Sequence, residues 1–197
     1  MDKNAALLII DVQNDFCPNG NLAVPEGNRV IPVLNRYIAL FREKGLPIFA
    51  SRDWHPEKTS HFKSFGGIWP VHCVQGSDGA KFHSDLQLPP DVVILSKGVD
   101  PQRDDYSAFQ GVTDSGARFP DILRERRISK LYVGGLATDY CVKESVLEGL
   151  RHGLAVTLLE DASRGVDLET GDSEKAVATM RAAGAMTASL ADLENLS

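Results

Sequence analysis

The stretch "KLYVGGLATDYCVKESVLEGLRHGLAVTLLED", residues 130–161, decides the fold class. Residues 130–136 form an apolar run without the polar alternation of a half-exposed strand, so they read as a strand buried on both faces. Residues 138–153 carry a helical period and stop at Gly153. A second apolar run, 154–161, then reads as another buried strand. Strand, helix and strand in close succession form a βαβ unit, whose two strands run parallel.

Outward from this unit the pattern repeats in both directions. "AALLIID" (5–11) reads as a buried strand. A helix follows over 28–45, with Val30, Val33, Leu34, Tyr37, Ile38 and Phe41 on one face, Asn28 as N-cap and Gly45 as terminator. Strands are predicted at 46–54 and 92–98, a short helix at 121–127, and a helix at 172–184 with Asp172 as N-cap and Gly184 as terminator. The last strand is predicted at 185–190. The fold class expected is therefore α/β: a doubly wound six-stranded parallel sheet flanked by helices on both faces, in one domain spanning 1–197. The stretches 55–91 and from 99 to about Phe119 are irregular. Loops of that length usually carry function, and in open parallel sheets ligands bind beyond the carboxyl ends of the strands.

Composition narrows the class of function. The chain of 197 residues is 43% hydrophobic and 24% charged, with a formal net charge of −6. That balance argues against a nucleic-acid surface, and no polybasic segment points to a membrane. The opening run "AALLII" is too short for a signal-peptide core or a membrane span. Three cysteines without a C-x-x-C pair make no disulfide framework, so a reducing, cytoplasmic setting is expected. The expected partner is a small molecule, and self-association into a homo-oligomer stays open.

The carboxyl ends of the strands present complementary chemistry. The first ends in Asp11, the second in Asp53 with His55 just beyond, the third in Lys97, and the fourth runs into Ala137 and Cys141. Asp53 and His55 stand two apart on extended chain and share a side, which suits joint ligation of one ion. His61 and His72 follow in the long loop, and carboxylate with imidazoles suits zinc, iron or manganese. Ser60 could replace His61 in that set. His83 and His152 read as structural. Cys141 could be a small core filler, but at a helix start, with Lys97 near and Asp11 able to accept its proton, it reads as a nucleophile with thiolate favoured. The amides of Ala137 and Cys141 could hold an oxyanion, and the small residues of "GGLAT" would let a substrate approach the backbone. Cys17 and Cys73 lack that setting and read as ordinary free thiols.

"LLIIDVQNDFCPNGNLAV", "SRDWHPEKTSHFKSF", "WPVHCVQGSDGAKFH", "SKGVDPQRDDYSAF" and "GGLATDYCVKESV" together resemble the nicotinamidases of the isochorismatase-like hydrolase superfamily, in order and over nearly the whole chain. The resemblance implies a six-stranded parallel sheet and a catalytic triad of Asp11, Lys97 and Cys141. It implies a metal site of Asp53, His55 and His72 with Ser60 or His61 as a further ligand, and one divalent metal, zinc first. It also implies an oxyanion hole at Ala137 and Cys141, a cis peptide at Leu136–Ala137, and a pyridine pocket walled by Phe16, Trp69 and Tyr106. The implied reaction is hydrolysis of nicotinamide to nicotinate and ammonia through a cysteine thioester, with pyrazinamide as a further substrate. Two departures stand out. The segment from His55 to His61 is longer than in the pattern DWHPxxHxSF, and "DDYSAF" replaces "DSYSAF", adding Asp105 near the pocket. Competing readings are another carbamoyl or ureido amide hydrolase of the superfamily and, in a different class, a non-catalytic metal-binding or thiol redox-sensing protein.

Overall fold

The computed structural model describes residues 2–195. Six strands form one sheet: β1 (Ala5–Ile10), β2 (Ile48–Asp53), β3 (Val93–Lys97), β4 (Lys130–Leu136), β5 (Ala155–Arg164) and β6 (Met186–Ala188). Their spatial order is β3-β2-β1-β4-β5-β6, and every pairing is parallel. The helices are α1 (Val30–Glu43), α2 (Phe119–Glu125), α3 (Lys143–Arg151), α4 (Asp172–Ala182) and α5 (Leu190–Glu194). Central strand β1 explains why its run is apolar throughout. Ala5, Leu7 and Ile9 join the core under α1 and α5, while Ala6, Leu8 and Ile10 join the core on the opposite face with Phe119, Leu123, Val146 and Met180. A strand covered on both faces has no polar side to show. The order reverses between β1 and β4, so a crevice opens there at the carboxyl edge.

Four of the differences in element boundaries from the sequence pattern have a clear local cause. Asn28 does not cap α1: it lies inside the turn Gly27–Arg29, and the helix starts at Val30 with no side-chain cap. Asp172 is the first residue of α4 rather than its N-cap. Gly171 takes that position at φ 90°, and the Asp172 carboxylate accepts from the Glu169 amide at 3.0 Å. β5 continues to Arg164, because a bulge between Val133 and Gly135 lets Gly135 and Leu136 pair with Ser163 and Arg164. The last strand stops at Ala188, since Ser189 and Asp192 form a capping box that starts α5 at Leu190.

The bulge also revises the reading of "GGLAT". Gly135 has φ 128°, and a Cβ there would stand 2.2 Å from the Ile10 carbonyl oxygen. A Cβ at Gly134 would meet the Ala162 carbonyl oxygen at 3.1 Å. The two glycines therefore allow close approach of neighbouring strands; they do not face a substrate. Gly135→Ala is expected to cost at least about 1–3 kcal/mol from the backbone conformation alone, read as a lower urea midpoint at unchanged m-value.

Candidate active site

Strand ends bring the chemistry together at the crevice. Asp11 follows β1 with φ 47°, so the chain turns sharply and the fully buried carboxylate stays at the sheet edge. Asp53 and Lys97 close β2 and β3 and are register partners. Cys141 comes from a wide π-type turn, Thr138–Val142, that precedes α3. The Leu136–Ala137 peptide leading into that turn is cis.

Lys97 is the hub. Its Nζ lies 2.8 Å from Asp11 Oδ2, against Asp53 Oδ1, 3.4 Å from Cys141 Sγ and 3.4 Å from the Asp105 carbonyl oxygen. Asp11 Oδ1 also accepts from Ser51 Oγ at 2.7 Å. Burial opposes charge on Lys97, but Asp11 and Asp53 outweigh it and hold the ammonium well above its usual range. For Asp53, burial is overcome by Lys97 and by the neighbouring imidazoles of His55 and His72, so its carboxyl lies well below the usual range. Asp11 goes the other way: burial, with Asp53 adding to it, raises its carboxyl despite Lys97. Burial likewise pushes the Cys141 thiol well up, Lys97 lowers it, and Asp11 and Asp53 raise it further. The expectation of a favoured thiolate is therefore corrected. Two carboxylates and a dry site outweigh one ammonium, so the thiol lies well above its usual range.

Beside this group stands a second one. His55, His61 and His72 are buried, and their ligand atoms lie within 4.8 Å of one another. Asp53 Oδ2 is 3.7 Å from His55 Nε2 and 3.8 Å from His72 Nε2, so Asp53 bridges the imidazoles and Lys97. His55 Nε2 is buried without a hydrogen-bond partner. A buried imidazole nitrogen aimed at two others and a carboxylate is costly unless something binds it, and this donor set fits a divalent metal. His61 joins the cluster, whereas Ser60 is exposed and uses its amide on the Pro101 carbonyl.

One cavity touches both groups. It is lined by Asp53, His61, His72 and Cys141, with Ala137 beside the thiol and Phe16, Trp69 and Tyr106 among its walls. Trp69 Nε1 donates to Tyr106 Oη at 2.9 Å, fixing two rings against each other. Leu22, Val24, Leu136, Tyr140 and Val166 also line it; Leu22, Val24 and Val166 are isolated apolar residues in loops, which give no periodic signal in the sequence. Also missed was Gln13, whose side chain brackets Asp53: Oε1 accepts from the Asp53 amide at 2.7 Å and Nε2 donates to its carbonyl at 2.8 Å. Ser145 supports the turn that carries Cys141 by donating to the Cys141 carbonyl at 2.6 Å. The remaining candidates lie elsewhere. His152 stacks on Phe109 at 5.0 Å, and His83 Nδ1 accepts from the Asp85 amide at 3.2 Å. Cys17 and Cys73 are buried and free, and burial raises both thiols.

Among the described residues no helix is long and apolar enough to cross a membrane. The profile of the Isochorismatase domain family matches residues 5–192. The nicotinamidase of Escherichia coli K12 is 42% identical, with 96% of each chain covered. The nicotinamidase/pyrazinamidase of Mycobacterium tuberculosis is 35% identical over 84% of this chain and 89% of its own. A solved structure of the Pyrococcus horikoshii pyrazinamidase in complex with zinc superposes with a TM-score of 0.87 at 43% identity, covering 95% of this chain and 99% of that one. A solved structure of PnC1 from L. infantum in complex with nicotinate gives 0.84 at 33% identity, covering 95% and 93%. With these four strand ends gathered at one crevice, and these relatives matching 84–96% of it, the chain belongs to the isochorismatase family, in its nicotinamidase and pyrazinamidase group.

Proposed function

We propose that this protein hydrolyses nicotinamide to nicotinate and ammonia through a thioester on Cys141, and that pyrazinamide is processed in the same way. The observation that carries this reading is the shared cavity: a buried thiol beside Asp11 and Lys97 on one wall, and an imidazole–carboxylate cluster on another. A flat ring carrying a carboxamide and a ring nitrogen addresses both walls at once.

The steps follow from the charges. Asp11, made more basic by burial, takes the Cys141 proton, and Lys97 holds the ion pair so formed. The thiolate attacks the carboxamide carbon, and the amides of Ala137 and Cys141 stabilise the oxyanion. Asp11 then returns the proton to the departing ammonia. Water, with Asp11 again as base, opens the thioester and releases nicotinate. Phe16, Trp69 and Tyr106 hold the ring flat against the thiol and keep bulk water out. Asp53, His55, His61 and His72 would hold a divalent ion, zinc by the donor set, and it would supply a Lewis-acidic docking point for the ring nitrogen. Three buried free thiols suit a reducing compartment such as the cytoplasm.

The test is ammonia release from nicotinamide and from pyrazinamide, measured before and after treatment with a chelator. Activity is expected to vanish with the metal and to return on adding zinc. Full turnover by protein shown to be metal-free would overturn the role given to the cluster. No release of ammonia from either amide would overturn the substrate.

A further inference from the structure

Each imidazole of the cluster has its Nδ1 against an oxygen that can only accept. His61 Nδ1 is 2.6 Å from Asp104 Oδ1, His55 Nδ1 is 3.1 Å from the Gly98 carbonyl, and His72 Nδ1 is 2.8 Å from the Pro70 carbonyl. An acceptor on Nδ1 requires the proton there, so all three rings carry Nδ1–H and leave Nε2 as the lone pair. Two of these three choices trace back to adjacent residues. Asp104 acts on His61 directly. Asp105 acts on His55 through Gly98, whose amide donates to Asp105 Oδ2 at 3.3 Å while its carbonyl receives the His55 proton.

That relay is tightly built. Gly98 has φ +67°, and a Cβ on it would stand 2.4 Å from His55 Cε1 and 2.6 Å from Nδ1, so only glycine lets this peptide lie against the ring. Asp105 is 3% exposed, and Arg103 holds its carboxylate from the solvent side, Nε to Oδ1 at 2.7 Å and Nη2 to Oδ2 at 3.3 Å. The Asp105 carbonyl meanwhile accepts from Lys97 Nζ at 3.4 Å. One short segment, 103–105, thus reaches two imidazoles and the ammonium.

We propose that Asp104 and Asp105 are positioning residues for the metal cluster, which set the tautomers and ring orientations of His61 and His55 so that both present Nε2 to one ion. The proposal rests on the metal reading of the cluster given above. Partners of this kind, removed one at a time, cost metal affinity by about 10–100-fold. Asp104 is half exposed, so the fold does not depend on it.

Zinc affinity is to be measured by competition with a chromophoric chelator, on wild-type protein, Asp104→Ala, Asp104→Asn, Asp105→Ala and Asp105→Asn. Absorption spectra of the cobalt(II) forms accompany it, and urea unfolding of the metal-free forms checks the fold. Asp104→Ala is expected to bind zinc about 10–100-fold more weakly and to shift the cobalt bands. Asp104→Asn keeps an oxygen for the Nδ1 proton and is expected to recover most of the affinity. Asp105→Ala weakens zinc in the same direction, and Asp105→Asn serves where the alanine variant does not fold. A purely structural role would lower the metal-free urea midpoint and leave the affinities equal. Unchanged zinc affinity and cobalt spectra in the Asp104 and Asp105 variants overturn the proposal and leave the nicotinamidase reading standing. Wild-type protein that binds zinc but releases no ammonia does the reverse. Wild-type protein that takes up neither metal overturns the proposal together with the cluster's role.

Discussion

Cys141→Ala is expected to lower kcat for nicotinamide on the order of 10⁴–10⁶-fold, as loss of a covalent nucleophile does, with metal content unchanged. The thiol lines the cavity beside Ala137, and the other groups around Lys97, two carboxylates and a peptide oxygen, are far weaker nucleophiles towards an amide carbonyl. Alanine at this position removes only the sulfur and leaves Lys97 paired with Asp11 and Asp53, so unfolding should stay close to wild type. The check is an ammonia assay run beside metal analysis of the same preparation. Wild-type turnover by this variant would remove Cys141 from the mechanism.

Lys97→Met carries the second large effect, on stability as well as turnover. Methionine preserves most of the apolar stem and deletes the charge. Asp11 and Asp53 are then left as two buried carboxylates without their shared counterion. Breaking a buried pair from one side costs about 3–5 kcal/mol. The sign of the pH dependence follows from the same geometry. In the wild-type protein Lys97 depresses Asp53, so Asp53 contributes stability above the usual carboxylate range and loses it as pH falls through its lowered value. Without the ammonium, burial raises both carboxyls, and the penalty is greatest at neutral pH and shrinks as pH falls and they protonate. Urea unfolding of the metal-free proteins at neutral and mildly acidic pH should show the gap closing. A gap that widens on acidification would contradict this account of the hub.

Much of this was legible in the sequence because it is written locally. Apolar runs with no polar alternation required strands covered on both faces, and the terminating glycines at 45, 153 and 184 sit past α1, α3 and α4 in the left-handed conformation. The capping box of Ser189 and Asp192 is equally local, yet the apolar run "AMTASL" masks it, and the strand expected over 185–190 runs into a helix start. Asp11, Asp53, Lys97 and Cys141 stood at strand ends, where a parallel sheet gathers what its strands present.

What the sequence determined by itself is thus the parallel sheet, its carboxyl rim and the inventory of reactive groups on that rim. Tertiary structure decided how those groups are joined. Asp53 faces Lys97 with one oxygen and the imidazoles with the other; His61, and not Ser60, enters the cluster; Asp104 and Asp105 stand behind two of its rings. It also decided which way the thiol is shifted, since that depends on burial and on charges brought in from three separate strands. Periodicity and capping act over a few residues and leave a trace in the sequence. Pairings across 40 or more positions, such as Lys97 with Asp53 and Cys141 at 44 each, arise only when the sheet closes the distance.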